Sequence, residues 1–178
     1  MCNGPLEFLV FPYFQHTADY DTAISNWIRK ERDLKSSKYI ESYPLIKTLR
    51  YGENPHQKAF WYGLSNIGWN SAEQLQGKEL SYNNLLDLES ALSTVLEFGY
   101  TEKDKRTSDT FASVILKHNN PCGASLSNSA SQSFLNALEC DSVSAFGGIV
   151  AFNSNVDSET AIHLKNIFLE CIVAPSFD

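Results

Sequence analysis

The chain lacks the features that mark secreted, membrane and nucleic-acid-binding proteins. Its 178 residues contain no apolar run that approaches the roughly 20 residues needed to span a bilayer. The N-terminal segment has neither the basic start nor the small-residue cleavage site of a secretory signal. Its 14 Lys and Arg against 21 Asp and Glu leave a net charge of −7 without a basic cluster, and the four cysteines form no C-x-x-C pair. We therefore expect a soluble cytoplasmic protein with reduced thiols that binds neither nucleic acid nor membrane.

Motifs for zinc and for dinucleotides are also missing. Pro121-Cys122 resembles half of the P-C-x-x-C signature of zinc deaminases, but position 125 is serine and no H-x-E triplet occurs. Gly147-Gly148 is not the G-x-G-x-x-G fingerprint. A nucleophilic pair of Cys122 with His118 has no evident orienting partner. We expect no metal, and we interpret Cys122 as a small core residue.

The sequence does contain enough apolar material for a folded core. Hydrophobic residues make up 43% of the chain and aromatic residues 12%, which is typical of a globular protein of one ordinary domain. From residue 111 onward the pattern predicts strands over 111–116, 149–152 and 172–174. Two helices are expected between them. A Ser129-x-x-Gln132 capping box opens the first, and Asp157 caps the second, which extends through Cys171. This alternation predicts a parallel or mixed sheet flanked by helices.

The first part of the chain is less regular. Apolar residues at helical spacing predict a helix over residues 17–31, capped by Thr17 or Asp19. Residues 29–42 are charged and contain serine, which is typical of a linker. A short strand, a loop over 50–57 and a strand over 59–62 are expected next, followed by a helix over 82–98.

The most informative motif is KHNNPCG at residues 117–123, directly after the apolar run of residues 111–116. Its Asn-Asn-Pro-Cys-Gly part predicts a turn that ends the strand. Ligands of open α/β sheets bind outside the carboxyl ends of strands, where Lys117 and His118 are expected to emerge. The pair combines a fixed cation with a group that titrates near neutral pH. Taken alone, such a pair is also typical of solvated loops.

Three further blocks accompany this motif. They are LRYGENPHQ at 49–57, GKELSYNN at 77–84 and DSVSAFGGIVA at 141–151. In this order, the four blocks closely resemble the transformylase domain of the bifunctional purine-biosynthesis enzyme AICAR transformylase/IMP cyclohydrolase. FQHTADYDTAI at 14–24 resembles the segment that ends the cyclohydrolase domain of that family. The resemblance extends from about Phe14 to Phe177.

The resemblance implies a fold and a domain organisation. We expect an α/β protein with a cytidine-deaminase-like three-layer sandwich, preceded by a linker helix. Residues 1–46 correspond to the tail of the cyclohydrolase domain and the linker, and residues 47–178 to the N-terminal half of the transformylase domain. The second half, in which folate-binding residues are expected, is absent. The chain is therefore either a fragment of a longer reading frame or a reduced protein that works differently.

The resemblance also implies a reaction. The family transfers a formyl group from the co-substrate 10-formyltetrahydrofolate to the amine of aminoimidazole carboxamide ribonucleotide during IMP biosynthesis, and its members also carry IMP cyclohydrolase activity. Family members form homodimers with transformylase sites between subunits. The alternative from another class is a non-catalytic nucleotide-binding or dimerisation fragment. The isolated chain is expected to be weakly active or inactive.

The family motifs assign roles to individual residues. Lys117 and His118 match the catalytic pair, and Arg50 and Tyr51 match a pair that contacts the nucleotide. The other expected substrate-binding residues are His56, Asn120, Ser144, Phe146, Gly147 and Glu170. Several of these residues also have a purely structural interpretation. Arg50 can be a surface residue above a core Tyr51, His56 a turn residue, and Glu170 a residue at an exposed helix end. Asn83, Asn84 and Asp87 are interpreted as structural hydrogen-bonding residues at the pocket floor.

Overall fold

The computed structural model describes residues 5–35, 40–98 and 110–178 and divides into two compact units. One unit comprises the described residues up to Lys47 together with Phe60–Gln74, and the other comprises Thr48–Ala59 together with the described residues from Leu75 to Asp178. These units do not follow the boundary expected after residue 46, because residues 60–74 group with the N-terminal segment. The assignment of residues 1–46 and 47–178 to family domains stays a prediction.

The first unit contains a long helix and a small sheet. Helix α1 extends over Pro5–Arg32, and strands β1 (Leu45–Thr48) and β2 (Phe60–Tyr62) pair into a two-stranded sheet. The helix predicted for residues 17–31 is therefore correct in type but begins much earlier. Thr17 does not cap it, because its hydroxyl donates to the carbonyl of Tyr13 one turn back, at 3.0 Å. The expected linker over 29–42 is helical up to Arg32, and its residues 36–39 lie outside the described residues.

The second unit contains a four-stranded mixed sheet with three helices. Its elements are α2 (Tyr82–Leu96), β3 (Phe111–Lys117), β4 (Asn120–Ser127), α3 (Ala130–Cys140), β5 (Gly148–Phe152), α4 (Ser158–Leu164) and β6 (Leu169–Val173). The strand order is β4-β3-β5-β6; β3 is antiparallel to β4 and to β5, whereas β5 is parallel to β6. The predicted mixed α/β architecture is confirmed, and its deaminase-like identity stays a prediction.

Helices cover both faces of this sheet. Five consecutive residues of β3, from Ala112 to Leu116, are buried, as expected for a strand with both faces covered. Side chains alternate between faces along a strand, so Ile115 and Val150 join Phe134 of α3 in one core cluster while their neighbours point the other way. Helix α3 packs against β3 and β4, and α2 packs against β3, β5 and β6.

The turn predicted after β3 is in the wrong place. Asn120–Ser127 is strand β4, which pairs with β3 from Lys117↔Asn120 to Phe111↔Ser127. Only His118 and Asn119 form the connection, and both adopt left-handed backbone conformations, with φ of 50° and 61°. Pairs of positive φ angles are typical of tight two-residue hairpins. Pro121 is tolerated in β4 because that strand lies at the sheet edge, where a missing N–H is least costly.

The helix predicted after Asp157 is correct at its start and wrong at its end. The Asp157 carboxylate accepts from the Thr160 N–H at 2.8 Å, but α4 ends at Leu164. Cys171 therefore lies in β6, which begins at Leu169 rather than at 172. The apolar residues after Leu164 were mistaken for a continuing helical face because β6 is only partly buried and Glu170 interrupts its apolar run.

The capping box predicted at α3 forms only in part. Ser129 accepts from the Gln132 N–H at 3.1 Å, whereas the Gln132 side chain donates to Asn136 at 2.7 Å instead of returning to the cap. The reciprocal box occurs at α2, where Ser81 and Asn84 each satisfy a backbone N–H of the other.

Gly123 of β4 allows the closest approach between the sheet and α3. A Cβ atom at this position would overlap the carbonyl oxygen of Ala137, which is backbone and cannot rotate away. We therefore expect Gly123→Ala to lower the free energy of unfolding by about 3 kcal/mol, the upper part of the range for overpacked cores. Urea denaturation measures the change, with Ala124→Ser at the exposed neighbouring position as control. Equal stability of the two variants would contradict the packing described here.

Candidate functional site

Lys117 is held at the carboxyl end of β3. Its side chain is half-buried, and Nζ donates a hydrogen bond of 2.7 Å to the carbonyl oxygen of Gly147. This contact follows from the sheet topology: because β5 is antiparallel to β3, the end of β3 lies beside the start of β5. The ammonium group therefore has a defined position rather than the freedom of a surface lysine.

Gly147 makes this approach sterically acceptable. Its φ of +68° lies in the left-handed region, and its N–H donates to the Phe168 carbonyl at 2.7 Å. A Cβ atom here would lie 2.9 Å from Nζ of Lys117. The missing side chain of Gly147 thus permits the close approach of Lys117 to its backbone. The expected role of Gly147 in substrate binding stays a prediction.

His118 is exposed on the turn that directly follows Lys117. The Asn120 side chain donates to the backbone carbonyl of His118 at 2.8 Å, so Asn120 braces this turn. The backbone N–H of Asn119 donates to the Asp87 carboxylate of α2 at 2.8 Å. The turn is thereby fastened to a helix on one face of the sheet.

Asn84, in the first turn of α2, joins two predicted site residues. Its Oδ1 accepts from the N–H of Ser81 at 3.0 Å, and its Nδ2 donates to Oε2 of Glu170 in β6 at 2.7 Å. The Arg50 guanidinium approaches the same Oδ1 at 3.4 Å. Glu170 is therefore an exposed strand residue bound to a helix N-terminus, and the interpretation of Glu170 as a helix-end residue is wrong.

Arg50 and Tyr51 form a cation–aromatic pair. The guanidinium carbon lies 4.9 Å from the centre of the Tyr51 ring, and Nη2 donates to the phenol oxygen at 3.3 Å. Two backbone hydrogen bonds fix the pair against the start of α2: the Arg50 N–H to the Leu80 carbonyl, and the Tyr82 N–H to the Tyr51 carbonyl. Arg50 is exposed and Tyr51 half-buried.

Cys171 is a residue whose surroundings the sequence did not reveal. Burial raises the pKa of its thiol to about 11; the Glu170 carboxylate adds to the rise, the Arg50 guanidinium opposes it, and Asp87 adds to it. The thiol is therefore neutral near pH 7. The charged groups of Arg50, of Asp87 in α2 and of Glu170 in β6 thus all influence the pKa of the Cys171 thiol.

Cys122 behaves as the core residue that the sequence predicted. It is half-buried, packs against the main core cluster, and its Sγ donates to the Ile115 carbonyl at 3.5 Å. Burial raises the pKa of this thiol.

Among the described residues, no group of three or more His, Cys, Asp or Glu could hold a metal ion, and no helix is long and apolar enough to cross a membrane.

The loop over 141–147 supplies the remaining predicted residues. The N–H and hydroxyl of Ser144 both donate to the Asp141 carboxylate, at 2.9 and 2.6 Å. Phe146 is 62% exposed, and its ring centre lies 5.5 Å from that of Phe168. Ser144 therefore shapes the loop, whereas Phe146 presents an open aromatic surface beside Gly147.

Not every predicted residue belongs to this constellation. His56 is exposed on a loop that the Gly52 N–H and the Gln57 carbonyl close at 2.9 Å. Within the described part of the chain, no contact joins His56 to the other predicted residues. Hydrogen bonds do join Lys117 to Gly147, and Arg50 to Glu170 through Asn84. One end of the sheet therefore carries a fixed cation beside a histidine, together with a guanidinium, a carboxylate and exposed aromatic rings. This arrangement suits a planar anionic ligand.

The fold and this edge define a mixed α/β domain with a lysine–histidine pair at a strand end. The AICARFT/IMPCHase bienzyme family matches residues 8–178, and the chain belongs to that family. The resemblance found in the sequence motifs is thereby confirmed.

Several curated relatives carry the name bifunctional purine biosynthesis protein PurH. The chain is 89% identical over 170 residues to the one from Prochlorococcus marinus strain MIT 9301, covering 96% of this chain and 33% of that protein. It is 55% identical over 165 residues to the one from strain NATL2A, covering 93% of this chain and 32% of that protein. The chain therefore spans about a third of the length of the curated relatives it matches.

Substitution of Gly147 tests how tightly Lys117 is held. Gly147→Ala adds left-handed strain of about 1–2 kcal/mol and also pushes against Nζ of Lys117. Gly68→Ala is the matched control, because Gly68 has a φ of +59° and open space around its missing Cβ. Chemical denaturation should show a larger loss of stability for Gly147→Ala. Equal losses would mean that the Lys117 contact adds no constraint.

The hydrogen bonds from Ser144 predict a pH dependence. The Ser144 hydroxyl, and then its N–H, hold the pKa of Asp141 below its usual range. A lowered carboxyl pKa contributes stability that is present above the unfolded-state pKa and is lost as pH falls through the folded-state pKa. We expect Ser144→Ala to raise the Asp141 pKa and to be destabilising at pH 7 but not at pH 2. Carbon-detected NMR titration and denaturation at both pH values measure this, and an unchanged Asp141 pKa would contradict it.

Proposed function

We propose that this chain contributes the catalytic part of a folate-dependent formyltransferase of purine biosynthesis. The formyl donor is 10-formyltetrahydrofolate, and the acceptor is the amine of aminoimidazole carboxamide ribonucleotide. The longer protein also carries IMP cyclohydrolase activity, acts in the cytoplasm as a homodimer with sites between subunits, and needs no metal. Family membership and the name of the relatives, bifunctional purine biosynthesis protein, support this assignment.

The chemistry needs a base and a cation. The acceptor amine is conjugated with an electron-poor ring, so it is a weak nucleophile that must lose a proton as it attacks. Its nitrogen forms a bond to the formyl carbon, giving a tetrahedral intermediate with an oxyanion. The bond from that carbon to the folate nitrogen then breaks, and this nitrogen takes up a proton to give tetrahydrofolate. His118 accepts the proton of the amine and returns one to the leaving nitrogen.

Lys117 supplies the cation. The observation that carries the proposal is the 2.7 Å contact between Nζ of Lys117 and Gly147, which fixes the ammonium at the strand end directly before His118. A charge held in place stabilises a developing oxyanion without first having to be ordered. The same ammonium assists protonation of the departing folate nitrogen.

Arg50 and its neighbours hold the nucleotide. The exposed guanidinium can form two parallel hydrogen bonds with a phosphate or a carboxamide, and the Tyr51 ring beneath it adds stacking area. Glu170, fixed by Asn84, can accept hydrogen bonds from substrate hydroxyls. Ser144, Phe146 and Gly147 line the same loop, with Asn120 bracing the turn; His56 contributes polar contacts at the periphery.

A second candidate is a non-catalytic module that binds the nucleotide or supports dimerisation. The Arg50–Tyr51 pair and the hydrogen bond from Asn84 to Glu170 favour it, because these groups suit nucleotide binding without turnover. The two candidates differ in turnover. Formyl transfer needs both substrates in reacting distance, and such positioning is worth on the order of 7–11 kcal/mol of the barrier.

The isolated chain tests how far formyl transfer depends on the rest of the longer protein. We expect it to bind the nucleotide, measured by isothermal titration, but to be a very poor formyltransferase, because folate contacts are expected outside this chain. The reference is the full-length relative from strain MIT 9301 carrying this chain in place of its matching 170-residue segment. Turnover by the isolated chain near that of the full-length protein would refute the expectation.

Replacement of His118 in that full-length protein tests the catalytic assignment. His118→Ala should lower the rate of tetrahydrofolate formation by about 10²–10⁴-fold, the usual contribution of a general base. His16→Ala, at an exposed position of α1, is the matched control and should leave formyl transfer unchanged. Cyclohydrolase activity of the same preparations reports on folding. An unchanged rate in His118→Ala would remove His118 from catalysis.

A further inference from the structure

The turn that presents His118 has an uncommon backbone conformation. His118 and Asn119 are consecutive non-glycine residues with φ of 50° and 61°. Residues other than glycine rarely adopt this left-handed backbone region, and contacts with the surrounding structure usually maintain it where they do. A two-residue turn of this kind ordinarily carries glycine at its second position. Asparagine adopts this region more readily than most non-glycine residues, and a contact from another part of the molecule would stabilise it further.

Helix α2 supplies that contact. The Asp87 carboxylate accepts from the Asn119 backbone N–H at 2.8 Å. The Asn119 amide faces the Leu86 carbonyl, the Ser90 hydroxyl and the same carboxylate, so its nitrogen donates toward them at 3.2, 3.1 and 3.0 Å. Residues on one face of α2 thus hold the turn after β3. Asp87 contacts both the backbone and the side chain of Asn119.

The same helix also carries the nucleotide side of the site. Asn84 lies three residues before Asp87, on the same face, and binds Glu170 and Arg50. The capping box with Ser81 defines the start of the helix. Asp87 therefore ties the position of His118 to the element that positions Arg50 and Glu170.

We propose that Asp87 is a positioning residue for formyl transfer: its carboxylate holds the Asn119 N–H and thereby fixes the left-handed turn that aims His118. The inference rests on the proposed function for its catalytic consequence and on the hydrogen bonds alone for its structural part. In the part of the chain that the structure describes, Asp87 is hydrogen-bonded to Asn119 and not to Lys117 or His118, so its effect passes through Asn119.

The structural part is tested on the 178-residue chain by amide hydrogen exchange. Asp87→Ala should lower protection of the Asn119 N–H by about tenfold, the equivalent of one lost charged hydrogen bond. Asp87→Asn keeps an acceptor oxygen and should stay within a few-fold of the parent. Ser93→Ala, exposed on the same helix, is the control. Unchanged protection in Asp87→Ala would overturn the proposal.

The catalytic part is tested in the full-length protein described above. Asp87→Ala should lower kcat at least tenfold with little change in KM for the nucleotide, and Asp87→Asn should restore most of it. A loss in Asp87→Asn as large as that in Asp87→Ala would show that charge, not the hydrogen bond, matters and would overturn the proposal. If His118→Ala keeps full activity, the proposed function fails; if only His118→Ala loses activity, the positioning role alone fails.

Asn119→Gly keeps the test decisive if Asp87→Ala folds poorly. Glycine adopts the left-handed turn without strain, so it should remove the need for the contact with Asp87. We expect Asp87→Ala to lower kcat much less in an Asn119→Gly background than in the parent, which a double-mutant cycle measures. Independent, multiplicative effects of the two substitutions would contradict the proposal.

Discussion

The antiparallel pairing of β3 with β5 is the constraint on which the site depends. It places the last residue of β3 beside the loop that starts β5, so the ammonium of Lys117 meets the carbonyl of Gly147. The parallel pairing of β5 with β6 then brings the start of β6, with Glu170, to the same edge. Residues far apart in sequence thus lie at the same end of the sheet because of the direction of their strands.

Helix α2 gives this edge its rigidity. Its capping residue Asn84 binds both Arg50 and Glu170, and Asp87 holds the turn after Lys117. A helix packed against three strands loses little freedom when it binds such groups, so it can hold charges in a defined arrangement. The charged groups around Cys171 come from the same elements, which is why burial and carboxylates together raise the pKa of that thiol.

The sequence predicted the strands and helices that have strong apolar patterns and missed those defined by long-range pairing. β3, α2 and the Asp157 cap were predictable from local residues, whereas β4 was mistaken for a turn because its edge position tolerates Pro121. A helix end was the alternative interpretation of Glu170, because β6 shows no clean alternation. Family motifs indicated the site residues, but the roles of Asn84 and Asp87 as links depend on contacts across 86 and 32 positions of sequence, which local patterns do not encode.

We propose that one end of the sheet binds the nucleotide; it is formed by the Arg50 loop, the His118 turn, the Gly147 loop and the start of β6. Chemical-shift mapping of the ¹⁵N-labelled chain with aminoimidazole carboxamide ribonucleotide tests it most directly. We expect the largest amide shifts at Tyr51, Asn119, Gly147 and Glu170, and no shifts in α4. Shifts confined to α4 or to residues of the first unit would contradict it.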